Sequence, residues 1–265
     1  MLPTSPLSLP RGLAFGCLLV LAVLPVRAER VISFSGYDWT VRHTDTPQGP
    51  GPNRFSDHTD AVRIAEDGAL HLRIRREARL WHAAEVRLRE ALGYGTYIFQ
   101  TDGDLRFTSP WVILGLFTFD HDAPELDYRE IDIEFGRFGN PDKPDGQFAL
   151  HPFQLPGHRA EFMLPRDPPP IQTHGFHWQP GRIDFRSASG SHPDLFALPD
   201  AHPDLTATWR IQGDTVPDPG NARVHINLWL YRSRSPRTDH TAVIRSFTFT
   251  PSVYSQQPSS SRATP

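Results

Sequence analysis

Between Glu29 and Pro251 the chain offers almost nothing that an amphipathic helix could be built from. Apolar side chains recur at every second position over short runs, and each run is soon cut by proline or glycine. Leu70, Leu72 and Ile74 alternate with His71 and Arg73, and Val224, Ile226, Leu228 and Leu230 alternate with His225, Asn227, Trp229 and Tyr231. Successive side chains on a strand point to opposite faces, so each segment has one face to bury and one to offer to water or a ligand. Strands are expected at Val31–Phe34, Ala69–Ile74, Ala83–Leu88, Thr96–Gln100, Trp111–Phe119, Glu130–Phe135, Gln147–His151, Arg182–Phe185, Thr206–Ile211, Val224–Tyr231 and Ala242–Phe249. Many short strands with Pro- and Gly-rich connections predict an all-β sandwich or barrel.

Breakers concentrate at Thr46–Asn53, Leu164–Pro170 and Ser189–Asp204, which read as long surface loops. None coincides with a shift in composition, so one domain over residues 29–251 is expected. Residues 252–265 are rich in Ser, Gln and Pro without periodicity and read as a disordered tail. The N-terminus has the layout of a secretory signal over residues 1–28. Arg11 precedes the apolar run Gly12–Val23, and Val26-Arg27-Ala28 forms a small-residue cleavage site. The run is short for a membrane span. Cleavage predicts a secreted or periplasmic protein with no membrane association afterwards.

The sole cysteine, Cys17, lies inside that leader, which leaves the exported chain without disulfides, thiolate zinc ligands or a thiol nucleophile. Net charge is −3, and Lys143 is the only lysine. Such a chain lacks the basic footprint of a nucleic-acid binder. The thirteen histidines show no metal-binding spacing, and His174 and His177 fall on opposite faces of a strand, so no metal site is expected.

The segment Glu130-Ile131-Asp132-Ile133-Glu134-Phe135 stands apart. On a strand, all three carboxylates share one face, with Ile131, Ile133 and Phe135 on the other. Acids are poor strand formers, and mutual repulsion raises the pKa of at least one of them, as general acid catalysis near neutral pH requires. No lysine or arginine interleaves on that face to neutralise them, and Trp111, Phe117, Phe119, Tyr128, Phe135 and Phe138 are near in sequence. The Cα atoms of Glu130 and Glu134 are roughly 13 Å apart at strand rise. Two leaning side chains can close that to the ~5–5.5 Å of double-displacement glycosidases. A solvated acidic face and a calcium site are the competing readings. Calcium prefers ligands wrapped from a loop.

The Glu-x-Asp-x-Glu strand resembles the signature of glycoside hydrolase family 16, in particular its bacterial lichenase-like β-glucanases. Ala84-Glu85-Val86-Arg87, Leu92-Gly93-Tyr94-Gly95-Thr96-Tyr97, Leu116-Phe117-Thr118-Phe119, Phe176-His177-Trp178-Gln179-Pro180-Gly181 and Ile226-Asn227-Leu228-Trp229 follow in the family's order. Together they cover roughly residues 50–250. The resemblance implies a β-jelly roll of two antiparallel sheets, with a substrate cleft across the concave one. It implies Glu130 as nucleophile, Glu134 as acid/base and Asp132 as the residue tuning both. Phe117, Phe119, Tyr128 and Trp229 match positions that stack on sugars, and Asn53, Glu85, Arg87 and Asn227 match polar cleft positions. Trp229 shares a face with Asn227, which favours a platform, whereas Trp39, Trp178 and Trp209 are expected in the core. Arg87 has a competing reading as a solvated surface charge.

Three departures bear on specificity. Ala149 stands where the family has asparagine, His151 where it has an aromatic ring, and Arg186-Ser187-Ala188-Ser189-Gly190 where it has Val-Asp-Gly. The expectation is therefore a secreted, monomeric, cofactor-free, retaining endo-β-glycosidase acting on a polysaccharide, with β-glucan favoured. A transglycosylase of the same family, a lectin-like glycan-binding module without turnover, and a structural surface protein are the alternatives.

Overall fold

The computed structural model describes residues 28–256. The expected leader before Ala28 and the tail beyond Gln256 lie outside the described residues; Val253–Gln256 forms a short 3-10 turn. Sixteen strands build an all-β jelly-roll sandwich.

Eight strands make the first sheet. In spatial order they are β1 (Arg30–Phe34), β2 (Tyr37–Val41), β6 (Leu80–Ala91), β15 (Arg223–Leu230), β8 (Val112–Phe119), β9 (Ile131–Phe135), β10 (Gly146–Leu150) and β11 (Arg159–Phe162). The second sheet runs β4 (Val62–Ile64), β5 (Leu70–Glu77), β16 (His240–Pro251), β7 (Gly95–Asp102), β12 (Ile171–Gln179), β13 (Arg182–Ser189) and β14 (Leu205–Gln212). The β5–β6 hairpin joins the two, and the two-residue β3 (Arg54–Phe55) lies parallel to β6. All other pairings are antiparallel.

Alternation explains the layering. Val86, Leu88, Leu114, Leu116, Ile131, Ile133, Phe135, Ile226 and Leu228 point inward from the first sheet. They share one core with Leu70, Leu72, Tyr97, Phe99, Phe176, Trp178 and Phe247 of the second. Trp39 and Trp178 are fully buried, and each indole N–H donates to a carbonyl, that of Phe34 at 3.0 Å and of Pro217 at 3.1 Å. Trp209 is only half-buried and stacks on Phe185 at 5.0 Å. The β12–β13 hairpin turns through Pro180-Gly181, where Gly181 has φ +67°. A proline followed by a left-handed glycine is what a type II turn demands.

The strand carrying the acids is regular. From Ile131 to Phe135 its pairing with β8 and with β10 advances one residue at a time, with no bulge. Register shifts occur elsewhere, in β15–β6, β13–β14 and β16–β7. Strand β9 starts one residue later than expected, but Glu130 before it is extended (φ −83°, ψ 118°), and Glu130, Asp132 and Glu134 all line the face away from the core.

Candidate active site

Across the outer face of the first sheet lies a cleft of about 590 Å³ with Glu130, Asp132 and Glu134 on its floor. The neighbours of the acids follow from register. Asp132 sits between Phe117 of β8 and Ala149 of β10, and Glu134 between Gly115 and Gln147. Gln147 Nε2 donates to Glu134 Oε2 at 2.7 Å. His151, just past the end of β10, donates its backbone N–H to the Glu130 carbonyl at 3.0 Å. Its ring stands over the acids, with Nδ1 3.4 Å from Glu130 Oε2 and Nε2 3.3 Å from Asp132 Oδ2.

Burial and crowding set the protonation of this cluster. Burial and then repulsion from Asp132 push Glu130 well above the usual carboxylate range, with His151 partly opposing. The same two causes raise Glu134 to about 8, against the Gln147 hydrogen bond and His151. For His151, burial disfavours the cation, but Asp132, Glu130 and Glu134 outweigh it and lift the imidazole to about 9. Glu130 and Glu134 interact strongly with the groups around them, so their proton equilibria belong to the cluster rather than to either side chain.

The chain enters β9 through an unusual arch. Asp127, Tyr128 and Arg129 have φ of 46°, 57° and 51°, three consecutive non-glycine residues in the left-handed region. Each costs on the order of 1–3 kcal/mol unless its surroundings enforce it. The enforcement is visible. Asp120 N–H donates to the Tyr128 carbonyl at 2.6 Å, Thr118 Oγ1 to the Arg129 carbonyl at 2.9 Å, and the Arg129 guanidinium pairs with buried Asp120 at 2.7 Å. Arg129 also donates to the Asp218 carbonyl at 2.8 Å. The arch presents Tyr128 to the cleft, stacked on Phe119 at 4.6 Å and 12°, and delivers Glu130 to the start of the strand.

On β6, Glu85 is buried and bound from two sides. Arg42 donates to Oε2 at 2.8 Å, and His225 Nδ1 lies 2.9 Å from Oε1. Burial alone would raise its pKa, but the hydrogen bond from His225 and the Arg42 pair together hold it below the usual value. Burial keeps His225 low despite Glu85. The Phe117 and His225 rings approach to 5.0 Å, and His121 joins them at 5.5 Å from His225.

Of the residues the sequence nominated, Glu130, Asp132, Glu134, Glu85, Phe117, Phe119, Tyr128, Asn227 and Trp229 meet at this cleft. Two stand apart. Arg87 lines an adjoining pocket of about 330 Å³ that shares Arg42, Glu85, His121 and His225 with the cleft. Asn53 directs its side chain into the backbone: Nδ2 donates to the carbonyls of Pro50 and Leu230, and Oδ1 accepts from the Leu230 N–H. It thereby pins the 48–53 turn to the end of β15. Trp229 is buried against Phe55, Ala83 and Ile113, with one edge on the cleft. Arg42, His121, Gln147 and His225 escaped the sequence reading. His225 carried a usable signal, two positions before Asn227 on the same strand face.

Four buried side-chain polar atoms lack an aligned hydrogen-bond partner among the described residues, and three of them, Asp132 Oδ2, His225 Nε2 and Asn227 Oδ1, belong to residues of this cleft. Unsatisfied buried groups cost ~1–3 kcal/mol each, so their concentration here marks a surface built for a hydrogen-bonding ligand. Gly115 makes room for one of them, since a Cβ there would lie 2.6 Å from Asn227 Oδ1. Glu130, Asp132 and His151 also offer ligand atoms within 4.8 Å of one another. A cation bound there has first to displace the imidazole proton, which makes the set a poor metal cradle near neutral pH.

No family model and no curated protein matches the chain. Solved structures do. The fold is that of the lichenase-type β-glucanases of glycoside hydrolase family 16. Bacillus licheniformis β-glucanase superposes with a TM-score of 0.60 at 18% identity, covering 81% of this chain and 92% of that one. A prokaryotic β-1,3-1,4-glucanase (lichenase) from a mouse hindgut metagenome gives 0.56 at 19% identity, covering 85% and 100%. A Mycobacterium tuberculosis protein described as an immunostimulatory antigen and pseudo β-1,3-glucanase gives 0.56 at 16%, covering 81% and 91%.

Proposed function

We propose that the chain is a secreted, retaining endo-β-glycosidase of a polysaccharide, β-glucan first among candidates. The observation that carries this reading is the acid trio itself: two glutamates flanking an aspartate at the unbulged strand, on the floor of an open cleft, with Glu134 raised to about 8 so that it carries a proton to give. The unpaired His225 Nε2 and Asn227 Oδ1 and the Phe117, Phe119, Tyr128 and Trp229 rings suit a polyhydroxylated ring substrate, which has hydroxyls to donate and apolar faces to stack.

In the first step a Glu130 carboxylate oxygen attacks the anomeric carbon. The bond to the leaving-group oxygen breaks as Glu134 gives that oxygen its proton. In the second, Glu134, now a carboxylate, takes a proton from water, whose oxygen attacks the anomeric carbon and releases Glu130. Both steps balance without a cofactor. A sugar hydroxyl replacing water gives transglycosylation.

The test is to incubate purified residues 29–265 with a panel of β-glucans and galactans, following reducing ends and the first-formed anomer by NMR. Release of β-anomer, lost in Glu130→Gln and in Glu134→Gln, is expected. An inverted product overturns the double displacement, and absence of product with retained binding points to a lectin-like module.

A further inference from the structure

Each imidazole nitrogen of His151 faces a different carboxylate, Glu130 Oε2 at 3.4 Å from Nδ1 and Asp132 Oδ2 at 3.3 Å from Nε2. A neutral imidazole has one N–H and one lone pair, and a lone pair pointed at a carboxylate is repulsive. With both carboxylates ionised, only the doubly protonated ring suits both neighbours. The setting strengthens the pair: Asp132 is 4% exposed, so the attraction is weakly screened, unlike that of a bridge on open surface. Every charge acting on the ring has the same sign, those of Asp132, Glu130 and Glu134. Its other close neighbour is Phe153, edge-on at 5.0 Å.

The cross-strand neighbour of Asp132 is small. Ala149 lies opposite Asp132 in register, two residues before His151, and is itself buried. Alanine at 149 and histidine at 151 thus form a matched pair, and these are two of the sites at which the sequence departs from the family pattern. Glu134, by contrast, has a neutral partner, Gln147.

We propose that His151 is a positioning residue: an imidazolium spanning Glu130 and Asp132 that favours the ionised form of Glu130 and aims it as the nucleophile, leaving Glu134 as the acid. This rests on the glycosidase reading for its consequence, but the charge state of the ring can be tested without turnover. An opposite charge within ~4–6 Å moves a carboxylate by ~1–3 pKa units, so loss of the cation lowers the ionised fraction of Glu130 ~10–1,000-fold wherever the solution lies below its pKa.

The experiment pairs histidine NMR with kinetics on the full exported chain. In the wild type the His151 ring remains doubly protonated at pH 8, and in Asp132→Asn its titration falls by a unit or more. A ring that titrates near 6.5 in both overturns the proposal, whatever the activity. In kinetics, His151→Phe is expected to lower kcat ~10–1,000-fold with KM within threefold, and His151→Arg, which keeps a cation, to recover part of kcat. The double change Ala149→Asn with His151→Tyr, which installs the family's residues, is expected to exceed either single change in kcat. Wild-type kcat and an unmoved pH profile in His151→Phe sink the inference while leaving the glycosidase intact. A wild type with no activity on any glycan, beside a doubly protonated ring, sinks the glycosidase reading alone.

Discussion

Glu134 holds its proton to about pH 8 because it is buried beside Asp132. That has a thermodynamic consequence separate from catalysis. In the unfolded chain the group ionises near its ordinary value of 4.5, whereas in the native state it stays protonated to about 8. Between those values the native state binds more protons than the unfolded one, so stability is complete below about 4.5 and is lost progressively as pH rises to about 8. Glu134→Gln removes this penalty and keeps an acceptor for the Gln147 amide. We expect the variant to be inactive yet more stable than wild type at pH 8 by on the order of 1–3 kcal/mol, with the difference gone at pH 4. Urea unfolding at the two pH values decides it; equal midpoints at pH 8 contradict the raised pKa. That the three acids share one face was legible in sequence, because a period of two is enough to put them there. Arg42, His121 and His225 were not, since the chain brings them to Glu85 from segments far away in sequence. Asn53 shows the converse: it matched a cleft position, but its side chain is occupied by the backbone of Pro50 and Leu230.

At the scale of the element, the 127–129 arch and β9 work as one device. The arch is held in left-handed geometry by Arg129 and Asp120, and it sets where Glu130 begins. Arg129→Ala leaves Asp120, 3% exposed, without its counter-ion, though the backbone N–H groups of Asp122 and Asn221 still donate to it at 3.1 Å, so a loss at or below the ~3–5 kcal/mol of a fully unpaired buried charge is expected. It also frees the arch to relax, so kcat is expected to fall at least ~10-fold at temperatures where the variant remains folded, a loss matching a small misplacement of Glu130. Thermal melting with kcat measured well below the midpoint separates the two effects; unchanged kcat means that the arch holds itself. The sequence announced β9, β15 and β5 through clean alternation. It hid β12, because Gln172, Thr173 and His174 are buried despite being polar. His174 is kept inside by Thr101 Oγ1 at 3.2 Å and Ser187 Oγ at 3.0 Å, hydroxyls supplied by the two flanking strands. Local pattern cannot anticipate partners that only the sheet provides. The left-handed arch was likewise invisible, as Asp-Tyr-Arg has no glycine to betray it.

For the whole molecule, the two sheets have no separate cores to fall back on, since inward residues of both belong to one continuous cluster. Losing either sheet exposes the other, so unfolding in urea is expected to be a single transition, with tryptophan fluorescence, reporting Trp39 and Trp178 of opposite sheets, coinciding with far-UV circular dichroism. Separated midpoints imply sheets that melt independently. This architecture was legible in outline from strand count and spacing, whereas the order of strands across each sheet was not. The depth at which Asp132 sits also decides what dissolved salt can reach. Mobile ions screen charges they can approach, within about 8 Å at physiological ionic strength. Arg73–Asp239 and Arg245–Asp67 lie open to them. Asp132, at the bottom of the cleft, is reached far less, so brine and dilute buffer change how the outside of this molecule greets its surroundings more than they change the attraction between His151 and Asp132.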